Sequence, residues 1–418
     1  MNSLNIIKQT VKYDKKLKEI IPNTISLIEE LNSLLSRPCL EEDGLFEYKQ
    51  EFRKKVSSMF KTTPYVLKTE IHDEFFIQDG IKYLIRLFKK DIFATKEYSI
   101  DKEPKIAKGK VEYNNSCNTN NTNNNNTSTN HCTTYFDPFA PPFKPDFVVD
   151  DNFNSLNTHR IFFSKYPVME EHLLIVTRDF QSQLTHLNYD DIKNAVSLIY
   201  VMNGLLFFNA GKKAGASQIR KHMQCIPLDK LHNQEFGLFL LLSDSNNLTL
   251  RDIRCDNNTS GSHDYRDVSF LENFELNVKS FESLFNVYSV NQFKNAGINH
   301  ILIKFSDNFT DYFRTNYSSE SIDVFSRIIF ELYNICLLDK DLINPEDPES
   351  IDKDYSFLLT DRWMLVIPRK THEVYFKNGM LNINSIGFLM MFMCNNTMLL
   401  EEVKNLNIIK DVFAELTE

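Results

Sequence analysis

The chain has 418 residues, 42% hydrophobic and 25% charged, with 47 basic and 56 acidic side chains and a formal charge of −9. That balance excludes the collagenous and disordered classes, and the longest apolar runs, Phe236–Leu242 and Ile386–Cys394, fall far short of the ~20 residues needed to cross a bilayer. The acidic excess argues against general affinity for nucleic acid. Seven cysteines without a Cys-x-x-Cys pair argue against a disulfide framework and against a thiolate zinc cage. No apolar stretch accompanies Lys8, Lys12, Lys15 and Lys16, so a secretory leader is not expected and the location reads as cytoplasmic. At roughly 150 residues per domain the length allows two or three units, or one large mixed body.

The first sixty residues read as helical, with Ile20, Ile21, Ile25, Ile28, Leu31 and Leu35 near a 3.6 period that ends around Ser36–Pro38. Tyr65–Phe88 alternates in the manner of strands about an Asp79-Gly80 turn. Residues 114–130 are almost entirely Asn, Thr and Ser, and such a tract reads as a disordered insertion with nothing to bury. A Pro-rich stretch, Asp137–Phe143, leads back to order. Arg160–Ser164 and His172–Thr177 read as strands. Asn188 then caps a helix whose apolar face is Ile192, Val196, Ile199 and Met202. Strands follow at Leu205–Phe208 and His222–Ile226, on either side of a loop. Beyond a polar segment at Asp244–Gly261, helical periodicity is read over Phe270–Phe313 and Ser321–Leu338. Two more strands fall at Phe357–Thr360 and Trp363–Ile367, and Ile383–Met393 reads as a closing helix.

The chemistry concentrates in the loop and strand from Asn209 to Gln224. Four cations (Lys212, Lys213, Arg220, Lys221) fall there without an acid, and so do two of only 11 glycines, Gly211 and Gly215. Glycine permits the positive φ and close approach that a phosphate-wrapping loop needs, and Ser217 and Gln218 add side-chain donors. In a strand, Arg220, His222 and Gln224 share one face while Lys221, Met223 and Cys225 take the other. A surface turn followed by an edge strand with an incidental histidine is the competing reading of the same residues.

The segment, NAGKKAGASQIRKHMQCIP, resembles the signature of the ATP adenylyltransferases, or diadenosine tetraphosphate phosphorylases, of the histidine-triad superfamily: N-x-G-x-x-S/A-G-x-S-Q-x-H-K-H-x-Q. Other blocks resemble that family in the same order: IFFSKYP at Ile161–Pro167, EHLLIVTRDFQSQ at Glu171–Gln183, YSFLLTDRWMLVIPR at Tyr355–Arg369 and NSIGF at Asn384–Phe388. The resemblance implies an α+β, HIT-like mixed fold with a central antiparallel sheet packed by helices. The chain is expected to divide into an N-terminal helical segment (1–60), a HIT-like catalytic core (61–235) that carries the Asn-rich insertion 114–130, and a C-terminal part completing the body (236–418).

It further implies phosphorolysis of diadenosine tetraphosphate to ADP and ATP through an adenylyl-histidine on His222. Gln224 would donate to a non-bridging oxygen, where hydrolytic members of the superfamily carry a third histidine. Lys82, Ser164, Asn209, Gly211, Gly215, Ala216, Ser217, Gln218, Arg220 and Arg369 fall at substrate-binding positions of the pattern. Two of these depart from it: Ser164 stands for the usual asparagine, and Arg220 for the first histidine of H-K-H. Arginine is always protonated and only donates, so Arg220 reads either as a phosphate clamp beside His222 or as a charge that misorients it and leaves a binding protein. A hexose-1-phosphate uridylyltransferase shares the H-x-H-x-Q logic and is the alternative enzyme. The expected partners are small nucleotides and phosphate, not nucleic acid or membrane. No tightly bound cofactor or protein metal site is expected; Mg²⁺ would travel with the polyphosphate, and the chain reads as a monomer.

Overall fold

The computed structural model describes residues 43–64, 66, 71–78, 81–88, 137–231, 285–289, 299–315, 318–344 and 346–417, together with Glu30 and Ser33. The periodic segment 20–38 (Glu30 and Ser33 apart), the Asn-rich tract 114–130 and the polar segment 244–261 lie outside the described residues.

Asp43–Thr62 forms the first described helix (α1). Ile71–Gln78 (β1) and Ile81–Phe88 (β2) pair antiparallel with Gln78 opposite Ile81, the register that a two-residue Asp79-Gly80 connection gives. Val148–Asp150 (β3), His159–Phe163 (β4) and Leu173–Thr177 (β5) come next. The helix Tyr189–Met202 (α2) is opened by Asn188, whose side chain accepts from the Asp191 amide while Asp191 accepts from the Asn188 amide. That reciprocal box satisfies two amides the helix cannot pair internally. Gly204–Ala210 (β6) and His222–Pro227 (β7) follow.

In the second half, Phe285–Ser289 (β8) and Ile301–Phe305 (β9) are strands, not the helix read over 270–313; among the described residues of that range only Asp307–Thr315 (α3) is helical, residues 270–284 and 290–298 being outside the description. Ile301, Leu302, Ile303 and Phe305 are buried on both sides of the sheet, and a short run apolar on both faces carries no period-two signal. Ser319–Asp339 (α4) precedes Tyr355–Leu359 (β10) and Trp363–Pro368 (β11). A small hairpin, Glu373–Phe376 (β12) with Gly379–Asn382 (β13), leads to Ile383–Met393, which is not a helix. A 3-10 turn over Ser385–Leu389 ends at Met390 in the left-handed region (φ 59°). Met391–Cys394 (β14) then runs parallel to β2, Met391 opposite Leu84, and Thr397–Lys404 (α5) follows.

The nine-stranded sheet runs β3-β4-β5-β7-β6-β10-β11-β9-β8, each neighbouring pair antiparallel. The fold is α+β, and residues from both 61–235 and 236–418 build this sheet. Alternation along its strands sorts two cores. Leu206, Phe208, Met223, Cys225, Phe357 and Val366 pack on one face under α2 and α4. Leu205, Phe207, Leu358, Leu365 and the single tryptophan Trp363 pack on the other, against β2, β14 and the C-terminal segment. Each such fully buried side chain contributes about 1.5–3 kcal/mol. The second face is not filled throughout: near β7 it opens into a cavity.

Candidate active site

His222 begins β7, between β5 and β6, and is held from three sides. Its amide donates to Gln183 Oε1 (2.8 Å), and the same carboxamide donates to the Asn209 carbonyl (2.9 Å), so one wholly buried glutamine ties β7 to the start of the glycine loop. Its ring Nδ1 lies 2.9 Å from the Arg220 carbonyl. A carbonyl can only accept, so Nδ1 carries the proton and the lone pair is on Nε2. The Phe139 ring packs on the imidazole, centroids 5.4 Å apart. Although only 8% exposed, His222 lines a cavity of about 700 Å³, within the usual range of small-molecule sites.

Gln224, two residues along the strand, lines the same cavity, whereas Met223 and Cys225 enter the core behind. The alternation expected over 220–225 therefore holds for the strand proper. The loop before it is built differently from the expected cradle. Lys212–Ala214 makes a 3-10 turn in which Ala214 and Ala216 donate to the Gly211 carbonyl and Gly215 to that of Lys212. Those amides close the turn instead of wrapping an anion. Gly215 (φ +91°) and Ala216 still line the cavity through their close approach to it, and Ser217 and Gln218 bring polar side chains.

Asn209 also lines the cavity, with its oxygen accepting from the Ser385 amide (3.0 Å) and hydroxyl (2.6 Å). Ser164 stands on the cavity wall beside Lys165.

Four of the residues expected at substrate-binding positions are not among those lining the cavity, and the structure places each of them elsewhere. Lys82 lies on β2 with its ammonium over the Phe75 ring, 4.6 Å from the centroid. Gly211 (φ +86°) packs on the Asp354 carboxylate, which a Cβ would overlap, and it therefore serves the turn. Arg220 is 4% exposed and faces Asp137: Nε donates to Oδ2 (2.7 Å) and Nη1 to the Thr177 (3.1 Å) and Arg178 (2.9 Å) carbonyls. Its guanidinium is thus taken up by these three acceptors. Arg369 is wholly buried, donating to Ser356 Oγ (2.9 Å) and to the Thr371 (2.9 Å) and Ile383 (2.6 Å) carbonyls. Burial pulls its pKa down to about 9 against the opposing charge of Asp354. Arg369 thereby joins β11 to the strand entering the 384–389 turn.

Sequence reasoning passed over two walls of the cavity. One is the strap from Pro138 to Phe147, whose Phe139, Phe143 and Phe147 gather around Phe162. Its signal was present as three phenylalanines among prolines. The other is Asn382–Gly387 with Met391 and Met393, of which only the NSIGF block hinted. The loop and this wall interlock: a Cβ on Gly215 would lie 2.7 Å from Asn384 Cβ. Gly215→Ala is therefore expected to cost about 1–3 kcal/mol, through the clash and the positive φ together, seen as a lowered thermal midpoint and weakened nucleotide binding.

Behind β7, Lys221 Nζ meets Asp191 Oδ2 (3.0 Å) and the His186 carbonyl (2.8 Å), and Asp191 Oδ1 meets His159 Nε2 (2.8 Å). His159 is thus held in the interior, 1% exposed, by Asp191. His172 immediately precedes β5, with Nδ1 accepting from the Val168 amide (3.2 Å), and it also reaches the cavity wall.

Comparison with known proteins agrees with this architecture. Residues 106–239 match the Ap4A phosphorylase N-terminal domain and residues 294–417 the ATP adenylyltransferase C-terminal domain, together more than half of the chain. Diadenosine 5',5'''-P1,P4-tetraphosphate phosphorylase 2 of Saccharomyces cerevisiae is 25% identical over 289 residues, 65% of this chain and 71% of that protein. Protein APA1 of the same yeast is 22% identical over 300 residues, 68% of this chain and 72% of its own. In three dimensions the chain is similar to crystalline yeast Ap4A phosphorylase Apa2, with a TM-score of 0.51 and 18% identity over 88% of this chain and 97% of that one. That likeness gives the HIT-like fold. Two domain matches in the expected order, on a sheet with this histidine at a cavity, make the chain a nucleotidyltransferase of the ATP adenylyltransferase/Ap4A phosphorylase family.

Proposed function

We propose that the protein carries out phosphorolysis of diadenosine tetraphosphate to ADP and ATP through an adenylyl-histidine on His222. The observation that carries this reading is the bond from the His222 Nδ1 edge to the Arg220 carbonyl at a cavity wall, which assigns the nucleophilic lone pair to Nε2. Nε2 attacks the α-phosphorus; the new N–P bond forms as the P–O bond to departing ATP breaks. The adenylylated ring carries positive charge, and the Arg220 carbonyl stabilises it through the Nδ1 proton. An oxygen of inorganic phosphate then attacks the same phosphorus, the N–P bond breaks, and ADP leaves with the imidazole restored. Two displacements replace one difficult step.

Gln224 cannot titrate, but its amide can donate to a non-bridging oxygen as charge shifts there. ATP leaves readily and phosphate is already a nucleophile, so neither step needs a proton donor at position 224. Ser164, Asn209, Ser217 and Gln218 are assigned to the nucleotide and its phosphates. Mg²⁺ is assigned to the polyphosphate; among the described residues no group of three His, Cys, Asp or Glu side chains is placed to hold a metal ion. The binding-only alternative rested on the charge of Arg220, and that guanidinium is engaged by Asp137.

Incubation with diadenosine tetraphosphate, followed by intact mass and peptide mapping, is expected to give an adenylyl adduct on His222 when phosphate is absent. With phosphate the adduct should discharge, releasing ADP and ATP in equal amounts. Equal product without an adduct at any time would point to direct displacement and overturn the covalent route. Transfer from a UDP-sugar instead would support the uridylyltransferase alternative.

A further inference from the structure

Arg220 holds the nucleophile from a distance. Its guanidinium is buried among three acceptors, of which the Asp137 carboxylate takes Nε at 2.7 Å, the two side chains being 4% and 1% exposed. The other Asp137 oxygen accepts from the Phe139 amide at 2.9 Å. Phe139, in turn, lies 5.4 Å from the His222 imidazole and 5.9 Å from Phe162. Meanwhile the Arg220 main chain fixes the ring's other feature, taking Nδ1 on its carbonyl. The same residue thus reaches His222 by two routes, one through the backbone and one through Asp137 and Phe139.

We propose that Arg220, through Asp137, is a positioning residue for His222: it seats Phe139 against the imidazole and keeps the ring in its attacking orientation. The physical grounds are geometric. An aromatic ring packed on an imidazole limits its rotation, and small misplacements of a nucleophile cost large factors in rate because the attack is directional. A buried carboxylate holds its place only while a cation answers it, so the strap carrying Phe139 depends on Arg220. Lysine cannot reproduce this. It lacks the planar fork that serves Asp137 and the Thr177 and Arg178 carbonyls together.

The rate consequence rests on the adenylyl-transfer reading; the orientation does not, and the test separates the two. Single-turnover adenylylation is measured for the full chain and for Arg220→Gln, Arg220→Lys, Phe139→Leu and the Arg220→Gln/Phe139→Leu pair. Arg220→Gln is expected to slow adenylylation about 10- to 100-fold while the KM for diadenosine tetraphosphate stays within about threefold. Lysine should not rescue it, and Arg220→Gln in the Phe139→Leu background should cost no more than about twofold further. An Arg220→Gln enzyme within threefold of the parent, or losses that multiply in the pair, would overturn the proposal. Should Arg220→Gln not fold, Asp137→Asn reads the same link, with a loss of about tenfold expected and an unchanged rate counting against it. Independently of turnover, ¹⁵N-histidine spectra should show the Nδ1–H tautomer of His222 in the parent and a mixture in Arg220→Gln or Asp137→Asn. If the parent forms no adduct yet its tautomer shifts in this way, adenylyl transfer fails and the positioning stands. An unchanged tautomer sinks the positioning whatever the activity.

Discussion

Replacing His222 by asparagine is expected to lower turnover of diadenosine tetraphosphate by about 10⁴-fold or more, with loss of the covalent adduct. Asparagine is the informative choice. Its NH₂ group can stand near the place of Nδ1 and donate to the Arg220 carbonyl, preserving the 2.9 Å contact that anchors the ring. The main-chain bond to Gln183 does not involve the side chain at all. The thermal midpoint should therefore move little, and nucleotide affinity should stay within a few-fold, while the nitrogen able to attack phosphorus is gone. An amide nitrogen has its lone pair delocalised into the carbonyl and is not a nucleophile. A variant that still forms an adduct would place the chemistry elsewhere, on His172 or His372, which also reach the cavity wall. A variant that unfolds would mark His222 as a packing residue first.

Much of this site was legible because its logic is local. The spacing of His222 and Gln224 puts both on one face of any strand, and Asn188 with Asp191 spells a helix start without tertiary information. What stayed hidden depends on contacts distant in sequence. Nothing around Arg220 announces that its partner is Asp137, 83 positions earlier. Nor does the glycine loop announce that Gly211 makes room for the Asp354 carboxylate. Lys82 and Arg369 were assigned by resemblance alone, and the structure has each occupied elsewhere: one over the Phe75 ring, the other among backbone carbonyls. The two misread elements failed for a single reason. Ile301, Leu302, Ile303 and Phe305, like the run Ile386–Cys394, put apolar side chains on both faces, so periodicity cannot separate a buried strand or tight turn from a helix.

The second large effect lies behind the sheet. Asp191→Asn is expected to destabilise the protein by about 3–5 kcal/mol, the usual cost of breaking a buried ion pair from one side. Asp191 is wholly buried, and it answers Lys221, whose side chain is 3% exposed, at 3.0 Å. Asparagine would still hydrogen-bond to the ammonium, and it would keep part of the helix cap, but the charge of Lys221 would be left without a counter-charge. Two measurements separate this account from a simple loss of packing. First, Asp191→Asn/Lys221→Met should recover at least half of the loss in denaturant titrations, because removing both charges also removes the desolvation they impose. A double variant no better than the single would place the cost in the cap instead. Second, the loss should depend on pH. Burial raises the carboxyl pKa, but the bond from His159, the charge of Lys221 and the Asn188 amide outweigh it and hold the group below the usual carboxylate range. A pKa lowered by folding contributes stability that is complete above the unfolded value, near 3.9, and is lost as pH falls through the folded one. Parent and variant should thus differ most above about pH 5 and converge on acidification below about pH 4, the parent falling towards the variant. Since Lys221 is the residue immediately before His222, the same substitution should also slow adenylylation at temperatures where the variant remains folded.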